Sequence, residues 1–304
     1  MADFTIRIAT RASKLALWQA EYIAGLIGDV GTATEIVHVT TVGDRNQTNA
    51  LREFGGTGVF TREVQQSVLN GDTDIAVHSL KDLQTEPTDG LTLAGVPDRA
   101  PVADALLLPD GQPLESLSDL PEGARIGTGS PRRQAQLLHL RPDLQMLEIR
   151  GNVDTRIRKL DEGEFDAIVL AEAGLRRLGL DDRISMLLQP PDMYPAVGQG
   201  AIGIECRSDD EQTIAVLQQI SNPAVQAATC AERALLSELR AGCHAPLGVL
   251  SVQDGTALNL TAVLLSLDGK ERLEATVEGS TEDPAEPGKR AAEALIANGG
   301  DRLV

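Results

Sequence analysis

Between Arg125 and Lys159, eight basic side chains (Arg125, Arg132, Arg133, Arg141, Arg150, Arg156, Arg158, Lys159) stand against three acids (Asp143, Glu148, Asp154) in a chain of net charge −18. A positive island in so acidic a chain needs either an anionic occupant or local ion pairs. Ser130-Pro131-Arg132-Arg133 reads as a helix start. It offers a capping hydroxyl, a proline at the first helical position and two guanidiniums where free N–H groups and the helix dipole already attract anions. Arg150 leaves the end of a strand and Arg156 sits one or two turns into the next helix, so both can face the same cleft. Arg11 and Ser13 occupy a matching strand-to-helix corner near the N-terminus. Guanidinium forks suit carboxylates, which they grip through paired bonds. Arg141, Arg158 and Lys159 read instead as a solvated face of ion pairs.

Asp74 to Ser79 reads as a buried strand running into Leu80-Lys81-Asp82, which brings a charged pair to the carboxyl edge of a sheet, the ligand side of α/β folds. Asp82 there can balance a cation or pass a proton. Taken alone, Lys81-Asp82 also reads as an exposed turn pair. Asp44 to Gly58 is polar, and its tip Gly55-Gly56-Thr57-Gly58 lacks the Gly-Lys-Ser/Thr of a phosphate loop, so it reads as a lid, with a plain surface loop as the alternative. Arg240-Ala241-Gly242-Cys243-His244-Ala245-Pro246 places a thiol on a loop. Cys243 is therefore a better reactive candidate than Cys206, on an apolar strand, or Cys230, inside a helix, although an inert thiol is equally compatible. Adjacent side chains rarely face each other, and His38, His78 and His139 show no partner pattern, so a Cys-His nucleophile at Cys243-His244 is not expected.

Alternating short apolar runs and helical patterns must hold these residues in place, the signature of parallel sheets with crossover helices. Strands are expected at Phe4 to Ala9, Glu35 to Thr40, Asp74 to Ser79, Arg125 to Thr128, Leu144 to Ile149, Asp166 to Leu170 and Ala201 to Cys206. Ser13 caps a helix with apolar residues at Leu15, Leu17, Trp18, Tyr22, Ile23 and Leu26. Two internal echoes suggest a pair of similar lobes. Arg7-Ile8-Ala9-Thr10 returns as Arg125-Ile126-Gly127-Thr128, and Gly71-x-x-Asp74 returns as Gly163-x-x-Asp166. Proline density at residues 96–101 and 189–195 marks two crossings between the lobes. The strand after the second crossing would return the chain to lobe one, leaving the ligand between the lobes. The expected division is 1–97 with 196–217 as lobe one, 98–195 as lobe two and 218–304 as a small α+β domain. In that last domain a helix (Pro223 to Leu239), two long strands (Thr256 to Leu267, Glu271 to Gly279) and a closing helix (Gly288 to Ala297) are expected.

Composition removes several classes. A chain of 304 residues with 27 basic and 45 acidic side chains repels phosphate backbones, so nucleic-acid binding is disfavoured. No apolar run approaches the roughly 20 residues of a spanning helix, and the N-terminus lacks a secretory pattern, so a cytoplasmic location without membrane contact is expected. Three cysteines supply no disulfide framework or metal spacing, and no metal is expected. Only five basic residues are lysine. An acidic, lysine-poor surface suggests adaptation to concentrated salt, with ordinary acidic drift as the alternative.

Seven stretches together closely resemble the porphobilinogen deaminase (hydroxymethylbilane synthase) family. They are Arg7 to Ser13 with Leu15 to Ala20, Asp74 to Asp82, Gly127-Thr128 with Ser130 and Arg132 to Gln134, Arg150 to Val153 with Thr155-Arg156, Ala173 to Leu175 with Arg177, Pro195 to Gly200, and Gly242-Cys243 with Pro246 and Gly248. The resemblance implies an α/β fold of two lobes like periplasmic binding proteins, with mainly parallel sheets, plus a smaller C-terminal α+β domain. It implies a transferase that adds four porphobilinogen units, each losing ammonia, to a dipyrromethane cofactor made from its own substrate and held by a thioether to Cys243. Water then releases hydroxymethylbilane. By the same resemblance Asp82 is catalytic. Lys81, Ser13, Ser79, Ser130, Arg132, Arg133 and Arg156 hold the cofactor, and Arg11, Arg150 and Arg177 the substrate. Porphobilinogen is the expected partner and the chain an expected monomer, with hand-over of product to the next tetrapyrrole enzyme left open.

The chemistry agrees with that resemblance, because each added unit brings two more carboxylates and an arginine-lined cleft can hold them in an acidic protein. Loss of ammonia leaves a cationic azafulvene that a carboxylate at the pyrrole nitrogens would stabilise. Three positions depart from the family. Thr57 stands where lysine is usual in the lid, Ala241 replaces a common glycine, and Leu83-Gln84-Thr85 lacks a proline that often follows Lys-Asp. The alternatives are a non-catalytic, two-lobed anion-binding or effector-sensing module, which would need neither Cys243 nor Asp82, and a pyridoxal or nucleotide enzyme, for which no phosphate motif is present.

Overall fold

The computed structural model describes residues 4–40, 61–241 and 245–304. The lid reading at Asp44 to Gly58, with Thr57, and the candidate reactive thiol Cys243, with its neighbour His244, lie outside the described residues. In chain order the first elements are β1 (Thr5–Thr10), α1 (Lys14–Asp29), β2 (Ala33–His38), α2 (Arg62–Leu69), β3 (Ile75–Ser79), β4 (Leu91–Gly95) and β5 (Asp104–Leu107). Then come β6 (Arg125–Gly127), α3 (Pro131–Leu140), β7 (Gln145–Leu147), α4 (Val153–Asp161), β8 (Ala167–Ala171), α5 (Glu172–Arg177) and β9 (Met186–Leu188). The last are β10 (Ile202–Arg207), α6 (Glu211–Gln219), α7 (Pro223–Glu238), β11 (Leu247–Asp254), β12 (Ala257–Leu265), β13 (Arg272–Ser280) and α8 (Ala285–Ala297).

Two compact units result, Met1–Arg99 with Ala201–Gln226, and Ala100–Gly200 with Ala227–Val304. The first is built on a sheet of order β2-β1-β3-β10-β4 and the second on one of order β7-β6-β8-β5-β9. In each, the first three strands run parallel and the fourth lies antiparallel to both its neighbours. The two sheets are therefore topological copies. Each receives its antiparallel strand just after a crossing, β5 after the first and β10 after the second. That return of β10 to the first sheet is the one read from the apolar run Ala201 to Cys206.

Local chemistry explains the first unit's corners. Ile6 and Ile8 alternate into the core, where Ala20, Ile23 and Ile27 of α1 meet them at helical spacing, all fully buried. The Ser13 hydroxyl accepts from Ala16 N (3.4 Å), and the Thr10 hydroxyl donates to Ala16 O (3.0 Å), so the strand-to-helix turn is bonded from both sides.

The C-terminal elements form an antiparallel meander, β11-β12-β13, with α7 and α8 packed on one face through Leu235, Leu236, Leu258, Leu260, Ala291 and Leu295. Val263 and Leu265 of β12 turn the other way and pack with Ala135 of α3 and Tyr194. Gly269 lies so close to α3 that a Cβ there would come within 2.5 Å of His139 N. Glu232 of α7, fully buried, accepts from Gly198 N (2.8 Å) and from the Ser251 hydroxyl. These contacts place residues 227–304 in the same compact unit as the second sheet. Strands β4, β5, β9 and β11 were not expected from the sequence.

Candidate active site

In the first unit, Arg11 and Ser13 follow the carboxyl end of β1, and Lys81 and Asp82 follow that of β3, its parallel neighbour. Lys81 and Asp82 ride on a single 3-10 turn, Leu80–Asp82, whose Leu80 is 2% exposed and whose N–H donates to Ala201 O (3.0 Å). That bond continues the β3–β10 ladder, in which Ile202 faces Ser79. Lys81 is half-buried and Asp82 exposed. The Ser79 hydroxyl accepts from the Gln19 amide nitrogen (2.8 Å), which leaves its own hydrogen to be donated elsewhere.

The second unit repeats this placement. Ser130, Arg132 and Arg133 follow β6, Arg150 follows β7, and Arg177 ends the helix after β8, so all issue from the carboxyl ends of three adjacent parallel strands. Arg150 pairs with Glu148, Arg156 Nε donates to Gly151 O (2.9 Å) and Arg177 donates to Gly200 O (2.7 Å). Arg141 and Arg158 bind Asp143 and Glu162, as expected for surface ion pairs.

One detail corrects the sequence reading and another adds to it. Ser130 occupies the N-cap position of α3, but its hydroxyl makes no cap bond, and its N–H donates to the Thr128 hydroxyl instead (3.2 Å). The Arg132 and Arg133 side chains, 4% and 7% exposed, converge on the fully buried carboxylate of Asp104. Arg132 donates from Nη1 to Asp104 Oδ2 (2.6 Å) and Tyr194 O (2.7 Å). Arg133 reaches Asp104 Oδ1 from Nε (3.0 Å) and Nη2 (2.8 Å), and Val169 O from Nη1 (2.8 Å). Burial by itself would push the Asp104 carboxyl up. The guanidiniums of Arg132 and Arg133, with the Gln199 amide, outweigh that and hold it well below the usual carboxylate range.

Asp104 escaped the sequence reading because a single acid heading the apolar run Ala105 to Leu107 looks like a strand boundary. A second buried group was missed in the first unit. Glu205 of β10 accepts from Gln65 (2.8 Å) and lies 3.1 Å from His78 Nε2, a buried nitrogen that makes no hydrogen bond among the described residues, while His139 Nδ1 lies 2.8 Å from Gly269 O. Of the other thiols, Cys206 is fully buried and its pKa is pushed by that burial to about 12; burial also raises Cys230. Both are held as inert thiols at neutral pH.

In each unit taken by itself the donors suit carboxylates. Guanidiniums, an ammonium and hydroxyls stand at the strand ends, and Arg132 Nε is buried with no hydrogen-bond partner among the described residues, a donor still to be matched by an acceptor. Such an arrangement suits an α/β protein that binds carboxylates. The profile "Porphobilinogen deaminase, dipyromethane cofactor binding domain" matches residues 6–215, and "Porphobilinogen deaminase, C-terminal domain" matches 227–297. The porphobilinogen deaminase of Trichlorobacter lovleyi is 43% identical over all of this chain and 97% of its own length. That of Roseiflexus castenholzii is 44% identical over 99% of this chain and 98% of its own. Among solved structures, the methionine-binding protein MetQ is a distant likeness, with a TM-score of 0.46 and 14% identity over 73% of this chain and 92% of that one. The chain belongs to the porphobilinogen deaminase family.

Proposed function

We infer that this chain carries out its family's reaction. It is a transferase that joins four porphobilinogen units, each with loss of ammonia, on a dipyrromethane cofactor and releases hydroxymethylbilane. The observation that carries the reading is the gathering of cationic and hydroxyl donors at the carboxyl ends of parallel strands in both sheets of a chain with net charge −18. Every unit added brings two carboxylates, and only local cations can hold them in so negative a protein.

In this reading Cys243 carries the cofactor through a thioether. Lys81, Ser13, Ser79, Ser130, Arg132, Arg133 and Arg156 hold the cofactor's carboxylates, and Arg11, Arg150 and Arg177 those of the incoming unit. The family motifs and the strand-end placement of these residues support the assignments. The cofactor, when bound, would supply the free pyrrole carbon to which the first unit is joined, and each later unit would join the pyrrole added before it. Asp82 offsets the positive charge that develops on the incoming unit as ammonia leaves, and its carboxylate takes up a proton afterwards. Leu80, locked to Ala201, keeps that carboxylate at the sheet edge.

The three-domain division, with the C-terminal part as the cofactor-attachment domain, belongs to the same proposal, as do a monomeric state and a cytoplasmic, salt-adapted setting. Among the described residues no helix is long and apolar enough to cross a membrane. The test is intact mass. Native protein should exceed its sequence mass by two linked pyrrole units and react with an aldehyde reagent for pyrroles, and Cys243→Ala should lose both. An active enzyme of unmodified mass would overturn the reading.

A further inference from the structure

The Pro195 to Gly200 stretch is a family motif that the reaction leaves without a role. In the structure its Gln199, fully buried, donates from Nε2 to Val102 O (2.7 Å) and to Asp104 Oδ1 (3.0 Å). Val102 lies just after the chain enters the second unit at Ala100, and Gln199 just before that stretch of the unit ends at Gly200. The two segments are held side by side, with Ala100 N donating to Gly200 O (3.2 Å). A Cβ at Gly200 would fall 2.4 Å from Ala100 O, so glycine is what lets them approach. One carboxylate is thus the meeting point of Arg132, Arg133 and the paired segments.

We propose that Asp104 is a positioning residue, which fixes the rotamers of both Arg132 and Arg133 and ties them to the paired segments through Gln199. The proposal rests on the reading that these two arginines hold cofactor carboxylates. A guanidinium is a planar fork on a flexible stem, and it presents donors in one direction only when other donors are already committed. Here Arg133 spends Nε and both terminal nitrogens on Asp104 and Val169 O, and Arg132 spends Nη1 on Asp104 and Tyr194 O. The Gln136 amide fixes Tyr194 in turn, accepting from its N–H (2.7 Å) and donating to its carbonyl (3.0 Å). The Asp104 carboxylate is therefore a group that both guanidiniums share.

The test follows cofactor loading by intact mass. Apo-protein, made in a host that cannot synthesise porphobilinogen, is separated from aggregate and incubated with porphobilinogen. In Asp104→Asn the folded fraction should load about 10- to 100-fold more slowly, the loss typical when a group that orients ligand-binding side chains is removed. Leu106→Ala, which opens a cavity on the same strand without touching either arginine, should load at the wild-type rate once folded. Gln199→Met removes one bond to the same carboxylate and leaves the charges in place. It should also load slowly, and it decides the matter if Asp104→Asn does not fold. Folded Asp104→Asn loading as fast as Leu106→Ala would overturn the positioning role, as would wild-type loading by Gln199→Met when Asp104→Asn cannot be folded. If Arg132→Ala and Arg133→Ala also load normally, the failure lies with the arginine reading itself.

Discussion

Arg7 grips Asp74 at the amino end of the first sheet through its main-chain N–H (2.8 Å), Nε (3.0 Å) and Nη2 (2.8 Å), and Arg125 grips Asp166 through the same three groups in the second (2.7, 3.2 and 2.8 Å). Each guanidinium also reaches the carbonyl of the glycine three residues before its aspartate, Gly71 or Gly163. The two echoes in the sequence are thus two halves of one constellation. It fastens the first strand of each sheet to the turn before the third and leaves the opposite edge for ligands.

The copies should differ in strength. The Asp74 side chain is 12% exposed and that of Asp166 39%. Burial would raise the Asp74 carboxyl, but its bonds to Arg7 prevail and hold it below the usual range; the bonds to Arg125 lower Asp166. Carboxyls lowered in the folded state stabilise it above their unfolded pKa, near 4, and that stability is lost as pH falls through the lower folded values. Asp74→Asn should cost about 1–2 kcal/mol at pH 7, the range for charge-assisted bonds that are not fully buried. Asp166→Asn should cost little. Denaturant unfolding at pH 7 and pH 3 checks this. The Asp74→Asn deficit should shrink in acid, and an equal or larger deficit at Asp166 would contradict the ranking.

Arg132→Ala and Arg133→Ala should fail in two measurements together. Removing either leaves the dry Asp104 carboxylate short of a cation, which costs about 3–5 kcal/mol for a buried pair. It should also block cofactor assembly. Arg141→Ala should lower the thermal midpoint modestly, since Arg141 also braces Leu117 O and Leu120 O, and should leave the cofactor mass intact. Loss of cofactor in Arg141→Ala equal to that in Arg132→Ala would misplace the site.

The thermal midpoint should rise between dilute buffer and molar KCl. With a net charge of −18 the chain repels itself, and at about 1 M salt the screening length falls to about 3 Å. A flat or falling midpoint would remove the salt-adaptation proposal without touching the enzyme reading.

What could be read from the sequence was whatever repeats or alternates locally. The paired corners at Arg11 and Arg132, the strand ending in Lys81-Asp82 and the return of β10 all follow from apolar runs punctuated by caps and prolines. Strands β5 and β9, four and three residues long, escaped because no repeated motif marks them, as the likeness to β1 marks the equally short β6. β11 escaped because its apolar residues sit beside Gly248 and Ser251 in what looked like a loop. Asp104 and Glu205 escaped for another reason. Each is a lone acid on an apolar strand, and the partners that make it bearable there lie far along the chain, Arg132 at 28 residues and Gln65 at 140. Burial of a charge is decided by such distant partners, which no local pattern announces.

In the proposed reaction Asp82, held at the sheet edge by the Leu80 turn, supplies the charge on which the chemistry depends. Asp82→Asn keeps the shape but cannot offset the cation left when ammonia departs or take up the proton. The decisive measurement is single-turnover ammonia release and chain extension in folded, cofactor-loaded Asp82→Asn protein. A rate about 10²- to 10³-fold below wild type, with fold and cofactor mass retained, is the expected result. Near-normal release and extension would show the carboxylate to be structural and contradict the account.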